Sequence, residues 1–180
     1  MRREPEIPPR NSYIISRMGP TREFHTACQE ETYREIRSML DELVDTYYDD
    51  AEHCDFYVKY GSTIIEISVE PWEEDNAAVE VLAFCVQGVK PTAELMRELL
   101  ALNAEIKIGA FSLVDEDVFF SHTFVGRHLQ GPQLLASLNA VATTSDLYDE
   151  QIVSQFGGET ADERLRNWSR RTRQAGASAQ

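Results

Sequence analysis

The side chains that could do chemistry are few and scattered. His53-Cys54-Asp55 and His25-x-x-Cys28 bring together metal-ligating types. A structural zinc site takes four such ligands in paired spacing, and neither cluster has a second one to match it. A cysteine nucleophile needs a nearby histidine and a third group to orient it, and the spacing of Cys28, Cys54 and Cys85 encodes neither. His122 alternates with Phe120 and Phe124, which reads as a core or edge histidine on a strand rather than a base. Glu73-Glu74-Asp75 and Asp115-Glu116-Asp117 lack the glycine and the ligand register of a calcium loop, and read as solvated turns. No GxxxxGK[ST], GxGxxG or GxSxG motif occurs. The chain is therefore read as a non-enzyme, with no catalytic residue, cofactor or metal.

What remains to be explained is the body that carries these residues. At 180 residues, one domain is the default, and 42% hydrophobic residues suffice for a core without disulfides. The apolar runs are too short to span a membrane. The N-terminal MRREPEIPPR has no apolar stretch behind its arginines, so no secretory signal is expected. Three cysteines without a CxxC pair point to a reducing cytoplasm.

Charge divides the chain. Residues 1–25 hold five arginines against three glutamates, and residues 159–180 hold five arginines against three acids. Residues 26–158 carry 25 acidic and 7 basic side chains. Such a surface repels phosphate backbones and anionic lipid, so neither nucleic acid nor membrane is the expected partner. It favours basic or mixed-charge proteins, and it also keeps a domain soluble. Residues 1–25 read as a flexible proline- and arginine-bearing arm, 26–158 as the folded domain, and 159–180 as a basic tail. A short helix is expected in the tail from Ala161 to Arg171, with Leu165 and Trp168 on one face.

Periodicity fills in the domain. Tyr33, Ile36, Leu40, Leu43, Val44 and Tyr47 form a one-sided helical stripe, predicting a helix over 32–47. Three strands follow: Phe56 to Tyr60, ended by a turn at Gly61; a strand alternating through Ile65, Ile67 and Val69; and, after the polar loop Glu73 to Ala77, a strand through Val79, Val81, Ala83 and Cys85. Pro91 sits near the start of a second helix that runs to Ile106. Ile108–Val114 and Val118–Val125 read as a hairpin about the acidic turn 115–117. Gly131-Pro132 opens a third helix, which Gly157-Gly158 ends. The expected fold is α+β, in the order α-β-β-β-α-β-β-α, with a five-stranded antiparallel sheet covered by helices.

The segment LLALNAEIKIGAFSLVDEDVFFSHTFVG, from Leu99 to Gly126, and the long last helix ending in Phe156-Gly157-Gly158 carry a resemblance. In this order of elements the chain resembles the class I type III secretion chaperones, and in particular their YbjN-type relatives. The helix ends in a Leu-x-x-Asn-like stretch, then come a short strand with a small residue, an acidic turn and a valine- and phenylalanine-rich strand. The resemblance covers residues 26–158. It implies a cytoplasmic, acidic, often dimeric protein that holds an unfolded segment of a partner or acts as an adaptor. The arginine-bearing tails lie outside that core, and the secretion chaperones are usually shorter, so a role in secretion itself is not implied.

The residues themselves also suggest an interaction surface. On the second helix Leu95, Leu99, Leu102 and Ile106 make one stripe, and Met96 and Leu100 widen it. Leu95, Met96, Leu99 and Leu100 are therefore the candidate surface for a second copy or a partner, and a homodimer is expected. The strand through Leu82, Phe84 and Val86 is apolar on both sides, which fits either an open groove or a central strand covered twice. The expected function is a chaperone-like or adaptor domain that binds a protein segment along sheet edges and helix flanks. The alternative is a regulator whose arginine-bearing tails touch nucleic acid or an acidic partner.

Overall fold

The computed structural model describes residues 24–60 and 63–164. Ten elements follow one another: α1 (Ala27–Leu43), β1 (Tyr47–Asp50), β2 (Asp55–Tyr60), β3 (Thr63–Trp72), β4 (Asn76–Gln87), α2 (Ala93–Glu105), β5 (Ala110–Val114), β6 (Asp117–Val125), α3 (Gly131–Phe156) and β7 (Glu159–Thr160). The class is α+β as expected, but the sheet has seven strands rather than five. Its order is β1-β2-β3-β4-β6-β5, with antiparallel pairing throughout, and β7 also pairs with β4. Val86 pairs with Val118 of β6 on one side and Thr160 of β7 on the other, so β7 extends the sheet where β3 has ended.

Capping sets the helix starts. Thr26 accepts a hydrogen bond from the Gln29 amide at 3.1 Å, which begins α1 five residues before the stripe predicted it. Gln29 also donates to the Val69 carbonyl at 2.8 Å, fastening the helix to β3. Thr92, just after Pro91, accepts from the Leu95 amide and caps α2. Gln130 and Gln133 form a reciprocal capping box at the start of α3, with Pro132 in its first turn. At the far end α1 stops at Leu43, because Val44 turns extended. Tyr47 fits the helical period yet lies in β1, paired with Val58.

The turns are tighter than the sequence suggested. The loop between β3 and β4 is three residues, since Asn76 already pairs with Trp72 and Ala77 is fully buried. In the β5–β6 hairpin only Asp115 and Glu116 turn. Asp117 belongs to β6 and its carboxylate accepts from the Gly88 amide at 3.0 Å. The Gly61 turn lies outside the described residues.

Strand alternation sorts the side chains onto two faces. Phe56, Val58, Ile65, Ile67, Val69, Val79, Val81, Ala83 and Phe120 join the helix residues Ile36, Leu40, Leu95, Leu99, Leu134, Leu138 and Ile152 in one core. All three helices pack on this face. Leu82, Phe84 and Phe119 point the other way and form a separate small cluster, to which α1, α2 and α3 contribute nothing.

Asn103 explains the Leu-x-x-Asn-like stretch. Its amide accepts from the Phe111 N–H at 2.6 Å and donates to the Phe111 carbonyl at 3.0 Å. One side chain thus mimics a neighbouring strand and fixes the end of α2 to β5. Gly109 between them has φ +85°, and a Cβ there would meet the Phe120 ring at 2.7 Å. Only glycine meets both demands.

Candidate binding surfaces

The reactive residues are occupied structurally. His53 sits 3.0 Å from Asp50 through Nδ1. The Cys54 thiol is pushed up to about 11 by burial and by the carboxylates of Asp55, Asp50 and Asp49. Cys85 donates to the Ser145 carbonyl, and burial pushes its thiol up to about 12. Neither forms the thiolate that a nucleophile requires at neutral pH. His122 faces α3, 3.0 Å from the Ser137 hydroxyl, and burial lowers its pKa. Among the described residues no three histidine, cysteine or acidic side chains converge on a metal-sized point. No helix among them is long and apolar enough to cross a membrane.

The seven residues expected at an interface divide three ways. Leu95 and Leu99 are buried in the helix-side core, because that stripe faces the sheet and β5. Met96 and Leu100 stand on the outer flank of α2, 46% and 68% exposed. Leu82 and Phe84 lie on the opposite face of the sheet. Val86 shares their parity in sequence, yet it joins the helix-side core. A register shift between Phe84 and Val86 breaks the alternation, as an extra residue in a strand does.

The sheet edges are poor templates for an added strand. On β5, Asn103 takes both outward backbone groups of Phe111. At the other edge β1 is only four residues long and ends in Asp49 and Asp50. Asp49 accepts from the Tyr33 hydroxyl and pairs with Arg37 at 3.3 Å, so this edge is tied to α1.

The face opposite the helices has the make-up of a binding surface. The ring of Phe84 meets Phe119 edge-on at 5.4 Å, and Leu82 completes the apolar strip. Register sets acids beside it: Glu66 lies opposite Leu82, and Glu80 opposite Ser68. Tyr57 stands across from Glu66 and packs against Tyr48. An apolar strip bordered by carboxylates suits a segment that is apolar and basic in turn. Sequence reasoning named Leu82 and Phe84 but missed Phe119 and the acids. The alternation of Glu66 and Ser68 with Ile65 and Ile67 carried that signal.

A second feature lies where α3 meets β7. A cleft of about 520 Å³ is lined by Asp146, Asp149, Glu150, Asp162 and Glu163. Burial raises the Asp149 carboxyl to about 6, and the neighbouring acids add to the effect.

The sequence matches the family model described as T3SS (YopN, CesT) and YbjN peptide-binding chaperone 1, TY-Chap1, over residues 30–164. No curated protein matches it. The matched span runs from the first turns of α1 to just past β7, so it takes in both faces of the sheet and all three helices. The chain belongs to the T3SS and YbjN peptide-binding chaperone family.

Proposed function

We propose that this protein is a non-enzymatic, cytoplasmic chaperone or adaptor that holds a segment of a partner protein against the face of the sheet opposite its helices. One observation carries the assignment: the Leu82–Phe84–Phe119 strip, bordered by Glu66 and Glu80, receives no residue from any of the three helices. Membership of a peptide-binding family supports the partner being a peptide segment. The obstructed edges favour the face over strand addition. The alternative of a regulator acting through its tails draws no support from the family and is not carried further.

The outer flank of α2, with Met96 and Leu100, is the proposed contact between two copies in a homodimer. The two surfaces are on different elements, so each can act without the other.

Photo-crosslinking in cells tests the assignment. A benzophenone side chain at position 84 should trap a defined segment of one or a few proteins. The same group at Ser38, exposed on α1, should trap none of them. Equal trapping at both positions would remove the face from consideration.

A further inference from the structure

The face opposite the helices changes character along its strands. At one end Phe119 is 1% and Phe84 8% exposed, and Ala161, just after β7, packs on their cluster. Residues 161–164 are helical there; the rest of the helix expected to Arg171 lies outside the described residues. At the other end Trp72 is 44% and Val125 45% exposed. Register joins these two into one patch. Trp72 pairs with Asn76, Ala78 follows two residues on along the same face, and Val125 lies opposite Ala78. Carboxylates border the patch: Glu70 pairs with Ala78 on its other side, and the exposed turn Glu73-Glu74-Asp75 follows Trp72 directly. Arg127 reaches this turn, donating to the Asp75 carbonyl at 3.2 Å, and offsets only one of these charges.

We propose that this open end anchors an arginine-bearing segment of a partner protein, the guanidinium lying on the Trp72 indole beside Glu70 while an apolar residue two places away covers Ala78 and Val125. The assignment rests on the reading above, that this face receives a partner segment, and adds the chemistry such a segment carries. Tryptophan is the ring that holds a cation best. A guanidinium can lie flat on it and still offer paired N–H donors to a carboxylate, which an ammonium cannot. Alternate residues of an extended chain are about 7 Å apart, close to the separation of about 7–8 Å for diagonal neighbours such as Trp72 and Ala78. Charge complementarity points the same way: residues 26–158 hold 25 acidic side chains against 7 basic ones.

Backbone pairing is a poor route at this end. The pairing of β2 with β3 stops at Asp55 and Ser68, so Glu70 to Trp72 continue β3 without β2 beside them. Pro71 sits in the middle of that stretch and has no N–H to give an added strand. Side chains on the face, rather than a ladder along the edge, then select the segment.

Labelled synthetic peptides test the anchor by fluorescence anisotropy on the full-length protein. The probes are nine residues long and alternate valine with arginine, serine or glutamate. The valine–arginine peptide should bind at least tenfold more tightly than the valine–serine peptide, and the valine–glutamate peptide should not bind. Trp72→Ala and Glu70→Lys should each weaken the valine–arginine peptide about tenfold. Glu42→Lys, the same change of charge at an exposed position on α1, should leave it unchanged. Equal weakening by Glu42→Lys and Glu70→Lys would reduce the binding to diffuse attraction and overturn the proposal, as would a Trp72→Ala protein with unaltered affinity. A lower mass by light scattering for Trp72→Ala would assign the patch to a second copy and equally overturn it. Trapping at position 84 does not require Trp72, so loss of the anchor and loss of the face are told apart.

Discussion

The two faces of the sheet differ in what covers them. The helix side is mainly apolar, its strand residues interleaved with three helices and with ring contacts such as Tyr33 stacked on Phe56 at 4.5 Å and Phe111 edge-on to Phe120 at 4.8 Å. The opposite side mixes Leu82, Phe84 and Phe119 with Tyr57, Glu66, Ser68 and Glu80. A face built only for folding has no need of acids in its middle. The contrast separates the face that carries stability from the face proposed for recognition.

Substitutions should divide along the same line. Phe120→Ala removes a fully buried ring from the helix side and should cost about 3–5 kcal/mol in urea unfolding. Phe84→Ala should cost clearly less and act on binding; equal losses would erase the distinction. Asn103→Ala takes two hydrogen bonds from Phe111 and should cost about 2–3 kcal/mol. It also bares the β5 edge, so it should raise aggregation as measured by light scattering.

Asp149 gives a prediction in pH. Its folded pKa of about 6 lies above the ordinary carboxylate value of 3.8. The folded state therefore binds more protons than the unfolded state between these values. This group's contribution to stability is greatest at low pH and falls as pH rises toward 6. Asp149→Asn should stabilise the protein by about 2 kcal/mol at pH 7, with the gain fading toward pH 4. A stabilisation independent of pH would assign the effect to packing instead. The smallest change in stability is expected on the flank of α2. Met96→Glu with Leu100→Glu should shift it by no more than about 0.5 kcal/mol, while halving the mass seen by light scattering if this flank joins two copies.

Much of the fold was legible because strong local signals agreed. Gly131-Pro132 and Gly157-Gly158 bracket α3 within the residues the structure gives it, and the alternation of Ile65, Ile67 and Val69 marks β3 and its buried side. β1 was hidden because Tyr47 fits the helical stripe of α1, and only pairing with β2 decides its state. β7 was hidden because two residues have no period; β4 supplies the pairing. At the site, parity correctly joined Leu82 and Phe84, but it could not foresee the register shift that sends Val86 inward. The width of the α2 stripe was visible, but which leucines face the core depends on where β5 lies.

The central claim is that recognition belongs to the face opposite the helices. It is tested most directly by titrating the segment trapped at position 84, fluorescently labelled, against the full-length protein and two variants. Glu80→Lys should weaken binding by tenfold or more, since it reverses a carboxylate beside the apolar strip, and Met96→Glu should leave it unchanged. Weakening by Met96→Glu with Glu80→Lys neutral would contradict the account and move recognition to α2.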